Sequence, residues 1–115
     1  MIKDTLKRFA TAWREGNIEE LLEFFTEDAI YSPSINNELG KSYKGKNEIK
    51  DGILRMMENN SGSVSTIQNI QIHGDFGFWE WTYHFPDGSE EKGCDTFQFE
   101  GNKIKLKNAF RKIQF

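Results

Sequence analysis

The residues with the most chemical promise lie in Gly93-Cys94-Asp95-Thr96-Phe97-Gln98-Phe99, a stretch that alternates with a period of two. Asp95, Phe97 and Phe99 share one face; Cys94, Thr96 and Gln98 share the other. A carboxylate beside two phenylalanines is costly to bury unless it is protonated, paired or hydrogen-bonded. One ionisable group in an apolar wall is also how many small-molecule pockets are built. The pattern leaves two readings of Asp95. It is the acid/base group of a pocket, or a buried carboxylate satisfied by a tyrosine, a tryptophan N–H or an arginine.

The aromatic residues supply the walls such a group needs. Trp79, Trp81, Tyr83 and Phe85 alternate on one strand face, and Phe9 and Trp13 sit one helical turn apart near the N-terminus. Indole N–H and phenol O–H groups give an otherwise apolar wall polar handles. Trp13, Trp81, Tyr83 and Phe97 are therefore expected around a ligand pocket. Tyr31 and Tyr43 flank the loop at its mouth. His84, three residues before a turn, is expected at the rim or surface, and His73 in solvent. These histidines have no partner at ligand spacing, so no metal site is expected. Cys94, opposite Asp95 in parity, reads as a packed, inert thiol. Lys103, Lys105 and Lys107 read as the solvated face of a strand.

Helices come first in the elements that must position these groups. Ile2, Leu6, Phe9 and Trp13 trace one helical face that ends near Gly16. Asn17 can cap a second helix, with Glu20 placed for a capping box and Ile18, Leu21, Leu22 and Phe25 as its apolar stripe. Residues 29–31 read as a short strand and 34–45 as a loop with room for one short strand. Residues 46–59 recover helical spacing through Ile49, Ile53, Met56 and Met57, with Gly52 as an unfavourable interior residue. Strands over 64–73, 76–85, 90–99 and 103–113 complete a four-stranded antiparallel meander, its middle turn marked by Pro86-Asp87-Gly88-Ser89.

Composition narrows the function classes. The 115 residues suit a single domain, 1–115. Fifteen basic against 18 acidic residues give a formal net charge of −3, which offers nothing to attract nucleic acid. A single cysteine fits a reducing compartment. No basic stretch precedes a long apolar run, so neither a signal peptide nor a membrane span is expected, and the cytoplasm is the expected location.

Four stretches carry a family resemblance: Phe9-x3-Trp13-x2-Gly16, residues 25–33 (FTEDAIYSP), Gly45-x3-Ile49, and residues 93–104 (GCDTFQFEGNKI). In order and spacing they resemble the nuclear transport factor 2-like superfamily, above all its SnoaL-like, polyketide cyclase-like branch. The resemblance implies an α+β cone: a curved, mainly antiparallel sheet with three N-terminal helices on its concave side, enclosing a pocket. It implies a small apolar or aromatic ligand, no cofactor, and a homodimer formed through the outer sheet face. Asp95 matches the pocket aspartate that ketosteroid isomerases keep protonated and that SnoaL-like cyclases use as acid/base. Phe9 stands where those isomerases have an oxyanion-hole tyrosine, and Ser32 where they have a basic aspartate, which argues against steroid isomerisation. The functions implied are cofactor-independent cyclisation, isomerisation or dehydration, non-catalytic binding of a small molecule, or dimerisation as a structural module. In the last strand, Lys107, Ala109 and Arg111 match pocket-facing positions of the family. The more apolar parity of Ile104, Leu106, Asn108 and Phe110 instead puts Arg111 outside, and the sequence leaves both open.

Overall fold

A period of three to four buries Leu6 and Phe9 on one side of helix α1 (Ile2–Glu15). A computed structural model describes residues 2–35 and 41–112 of the chain. Asn17 caps α2 (Ile18–Glu23) as its side-chain type suggests. Its Oδ1 accepts from the Glu20 amide at 3.2 Å, and its Nδ2 donates to the Glu20 carboxylate at 3.1 Å. The chain then passes into β1 (Phe25–Ser32), which starts four residues earlier than the apolar triplet 29–31 suggests. Thr26 to Asp28 are polar yet extended, and the pairing of β1 shifts between Phe25 and Ile30.

Tyr43–Lys44 form the short strand β2 inside the expected loop, and α3 (Gly45–Asn59) follows at once. Residues 36–40 of that loop, and Ile113 of the expected last strand, lie outside the described residues. Gly52 of α3 has a clear reason to lack a side chain. A Cβ there would stand 2.7 Å from the ring of Tyr43, so glycine lets the helix close down on β2.

The meander comprises β3 (Val64–His73), β4 (Phe76–His84), β5 (Glu90–Glu100) and β6 (Lys103–Arg111). The six strands form one sheet in the order β2-β1-β6-β5-β4-β3. Among the described residues only β1 and β6 pair in parallel, and every other neighbouring pair is antiparallel. Two further irregularities bend the sheet. One is a bulge in β3 between Gln68 and Gln71, where Asn69 takes a φ of 56°. The other opposes Gln98-Phe99 of β5 to β6, skipping Lys105. Bulges of this kind curve a sheet and re-aim the residues beyond them.

The core lies between the helices and the inner sheet face, around Leu6, Phe9, Leu21, Phe25, Ile49, Ile53, Phe97, Phe99 and Ile104. Phe9 is its centre. Its ring meets those of Phe24, Phe25, Phe97, Trp13 and Trp79 at centroid separations of 5.6 to 6.2 Å.

Candidate functional site

The bulge at Lys105 decides what the inner face carries. Ile104 points inward before it, and Lys107, Ala109 and Arg111 point inward after it. The two parities open to the sequence are thus each right for one half of β6. Lys107 is 4% exposed, which corrects its reading as part of a solvated row; only Lys103 and Lys105 keep that role.

Register then stacks the functional side chains in rows. Tyr31, Lys107 and Phe97 are neighbours across β1, β6 and β5; Ala109, Asp95 and Trp79 form the next row, and Arg111, Gly93 and Trp81 the one after. Asp95 is 4% exposed and fully engaged. It accepts from Trp79 Nε1 at 2.7 Å and from Trp81 Nε1 at 3.0 Å, and Lys107 Nζ lies at 3.4 Å. Three donors suit an ionised carboxylate, which only accepts. Arg111 is not its partner. Gly93 makes the second indole contact possible, because a Cβ there would stand 2.3 Å from the Trp81 ring.

The Lys107 ammonium sits among aromatic faces, 4.8 Å from the centroid of Tyr31, 4.9 Å from Trp13 and 5.9 Å from Phe97. Burial holds its pKa below the ordinary lysine value, and Asp95 opposes that shift. Burial pushes the Tyr83 phenol up to about 12, reinforced by the charge of Asp95. Tyr31 is raised well above 10 by the same two causes in the same order. Tyr83 accepts from Trp13 Nε1 at 3.1 Å.

Arg111 closes the other end of the row. Its guanidinium lies 4.8 Å from the Trp81 ring centroid and 5.6 Å from that of Tyr83, and it pairs with Glu91. Longer contacts reach Ser34 Oγ at 3.3 Å, Asn60 Oδ1 at 3.4 Å and Met56 Sδ at 3.7 Å.

Asp95, Lys107 and Arg111 line one chamber with Phe9, Trp13, Tyr31, Trp79, Trp81 and Tyr83. Its free volume is about 30 Å³, room for one or two waters. Phe97 lies behind the lining, packed against Trp79 with centroids 5.0 Å apart. A second space of about 240 Å³ adjoins the chamber, bounded by the end of α1, the turn after α3 and Tyr83; Trp13, Ser65 and Tyr83 border both. His84 takes no part, and its Nδ1 lies 3.0 Å from Glu90 on a half-exposed edge.

Phe9, Trp13 and Asp95 of this site lie within the stretch that a family comparison matches. Residues 6–106 fit the SnoaL-like domain. The chain belongs to the SnoaL-like family. No curated protein matches it. Solved structures share the fold of this SnoaL-like chain at low identity. One is a protein of unknown function with a cystatin-like fold from Xanthomonas campestris, at 21% identity and a TM-score of 0.82, covering 98% of this chain and 92% of that one. Another is a protein of unknown function from Mesorhizobium loti with the nuclear transport factor 2-like fold, at 15% identity and a TM-score of 0.81, covering 97% and 91%. A third, from Catenulispora acidiphila, has a ketosteroid isomerase-like fold and was solved in complex with trimethylamine, at 19% identity and a TM-score of 0.75, covering 96% and 86%.

Sequence reasoning passed over Asn60 in this SnoaL-like site, left Lys107 between a pocket-facing and a solvated position, and treated Trp79 only as part of an aromatic stripe. The signal for Lys107 was a family position set against a local lysine pattern, and a one-residue bulge decided between them. Asn60 follows the last turn of α3 and is buried by the closure of that helix end on Arg111, which no local pattern announces.

Proposed function

We propose that this protein binds a small, largely apolar molecule in the aromatic chamber and the space adjoining it. The observation carrying the reading is the buried Asp95–Lys107 pair inside an aromatic lining. Interior ions are expensive, and hydrophobic replacements often stabilise as well or better, so such a pair is weak evidence of a structural role alone. A pair that lines a space next to an opening is placed to meet a ligand hydroxyl or carbonyl. The trimethylamine complex of the Catenulispora acidiphila protein supports small-molecule binding in this fold.

One observation favours a second, catalytic reading. Lys107 carries a proton at lowered pKa that a substrate oxygen in the chamber can take, an arrangement suited to cofactor-free isomerisation, dehydration or cyclisation. Lys107 is then the donor, while Asp95, engaged by two indoles, holds it in place. Homodimerisation through the outer sheet face, where Phe110 is exposed and Phe78 and Cys94 are half-exposed, and residence in the cytoplasm complete the proposal.

A thermal-shift screen of carbonyl-bearing polycycles, terpenoids and aromatic acids tests it on wild type and Asp95→Asn in parallel. Stabilisation of wild type that is largely lost in the variant is the expected result. Absence of any shift across the panel overturns it and turns attention to the outer sheet.

A further inference from the structure

Hydrogen-bond donors converge where the chamber meets the adjoining space: Arg111 lines the chamber and pairs with a carboxylate outside it, Asn60 lines the adjoining space, and Tyr83 borders both. Arg111 is the strongest. Its side chain is 6% exposed, yet its anionic partner Glu91 is 44% exposed and does not line the chamber. Beyond Glu91, its contacts are neutral and long, from 3.3 Å to Ser34 Oγ to 3.7 Å to Met56 Sδ.

Asn60 adds a second donor. The residue is 6% exposed, and its Nδ2 has no acceptor among the described residues. It lies near enough to the Tyr83 oxygen to offset part of that phenol's rise, but not in hydrogen-bonding geometry. Tyr83 is the third. Its oxygen already accepts from Trp13, so its own hydrogen is left to give, and a phenol pushed up to about 12 keeps that hydrogen at neutral pH. A buried donor without a partner is destabilising, so the Asn60 amide, with the Tyr83 hydroxyl and Arg111 beside it, calls for an acceptor.

Charge and size point the same way. Chamber-lining residues include two cations, Lys107 and Arg111, against one carboxylate, Asp95. Glu91 balances Arg111 from outside the chamber, so a monoanion entering there takes the place of a carboxylate that already reaches water. The 30 Å³ chamber suits a small head group, whereas 240 Å³ beside it exceeds the roughly 150 Å³ of a cavity that admits benzene. Arginine is also the side chain whose planar fork fits a carboxylate best.

Resting on the small-molecule reading above, we propose that the ligand is a small organic monocarboxylate. Its oxyanion is held by Arg111, Asn60 and Tyr83, and its apolar body lies along Trp13 and Met57 in the adjoining space.

Isothermal titration of benzoate and of the neutral isostere benzamide tests this on wild type, Arg111→Met and Glu91→Gln, with each variant's fold checked by its melting curve. Benzoate is expected to bind wild type at least about tenfold more tightly than benzamide, equivalent to about 1.4 kcal/mol. Glu91→Gln, which removes the competing carboxylate, should tighten benzoate severalfold and leave benzamide unchanged. Arg111→Met should abolish the preference, and if that variant does not fold, the Glu91→Gln arm decides alone. Equal binding of the two probes, or a benzoate affinity unmoved by Glu91→Gln, overturns the carboxylate assignment while leaving the pocket in place. Failure of both probes to bind wild type overturns the assignment and the pocket reading together.

Discussion

Two halves of the same inner sheet face are packed in opposite ways. Around Phe9, Phe25 and Phe99 the interior is hydrocarbon, closed by ring contacts such as the edge-to-face pair of Phe9 and Phe25. Four residues along β5 and β6, the same face holds Asp95, Lys107 and Arg111 among tryptophans and tyrosines, with free space between them. The first half gains its stability from close packing. The second spends some of that gain on desolvating charges, which favours retaining them for recognition. A stable floor and a polar chamber are thus continuous, and Phe9 belongs to both.

The comparison breaks most severely at its hinge. Phe9→Ala should cost about 3–5 kcal/mol by leaving a cavity where five rings meet, read as a large fall in denaturant midpoint. A loss below about 1 kcal/mol would mean the two halves are not mechanically continuous.

The polar half should respond asymmetrically. Asp95→Ala leaves the Lys107 ammonium buried without a counter-ion and should cost about 3–5 kcal/mol. Lys107→Met should cost less, because Asp95 keeps both indole donors. The double variant should be more stable than the sum of the singles implies, and strict additivity in a double-mutant cycle would show that the pair is not coupled.

Alkaline pH gives the most specific effect. In the folded chain Tyr83 keeps its proton to about pH 12, and Tyr31 is also raised, whereas an unfolded chain releases both near 10. The folded state then binds more protons, so stability falls as pH rises from 10 to 12, by about 1.4 kcal/mol per unit for each tyrosine in its window. Lys107, shifted down, works in the opposite direction. Tyr83→Phe should make the alkaline decline shallower, and an unchanged slope would remove Tyr83 as its source.

The helices, the meander and the inward face of β5 were legible because each rests on a local period. Asn17 capping, the turn at Asp87-Gly88 and the grouping of Asp95 with Phe97 and Phe99 follow from side-chain type and spacing. The early start of β1 was not, since Thr26, Glu27 and Asp28 are extended by pairing rather than by their own preference.

Sequence by itself determined the α+β order, the family and the presence of one carboxylate in an aromatic wall. Tertiary structure decided which cation meets it. A single extra residue at Lys105 reverses the parity of β6, and that turns Lys107 inward to Asp95 and Arg111 inward to Glu91. The bulge is a property of how two strands register with each other, a long-range constraint that no local window of residues contains.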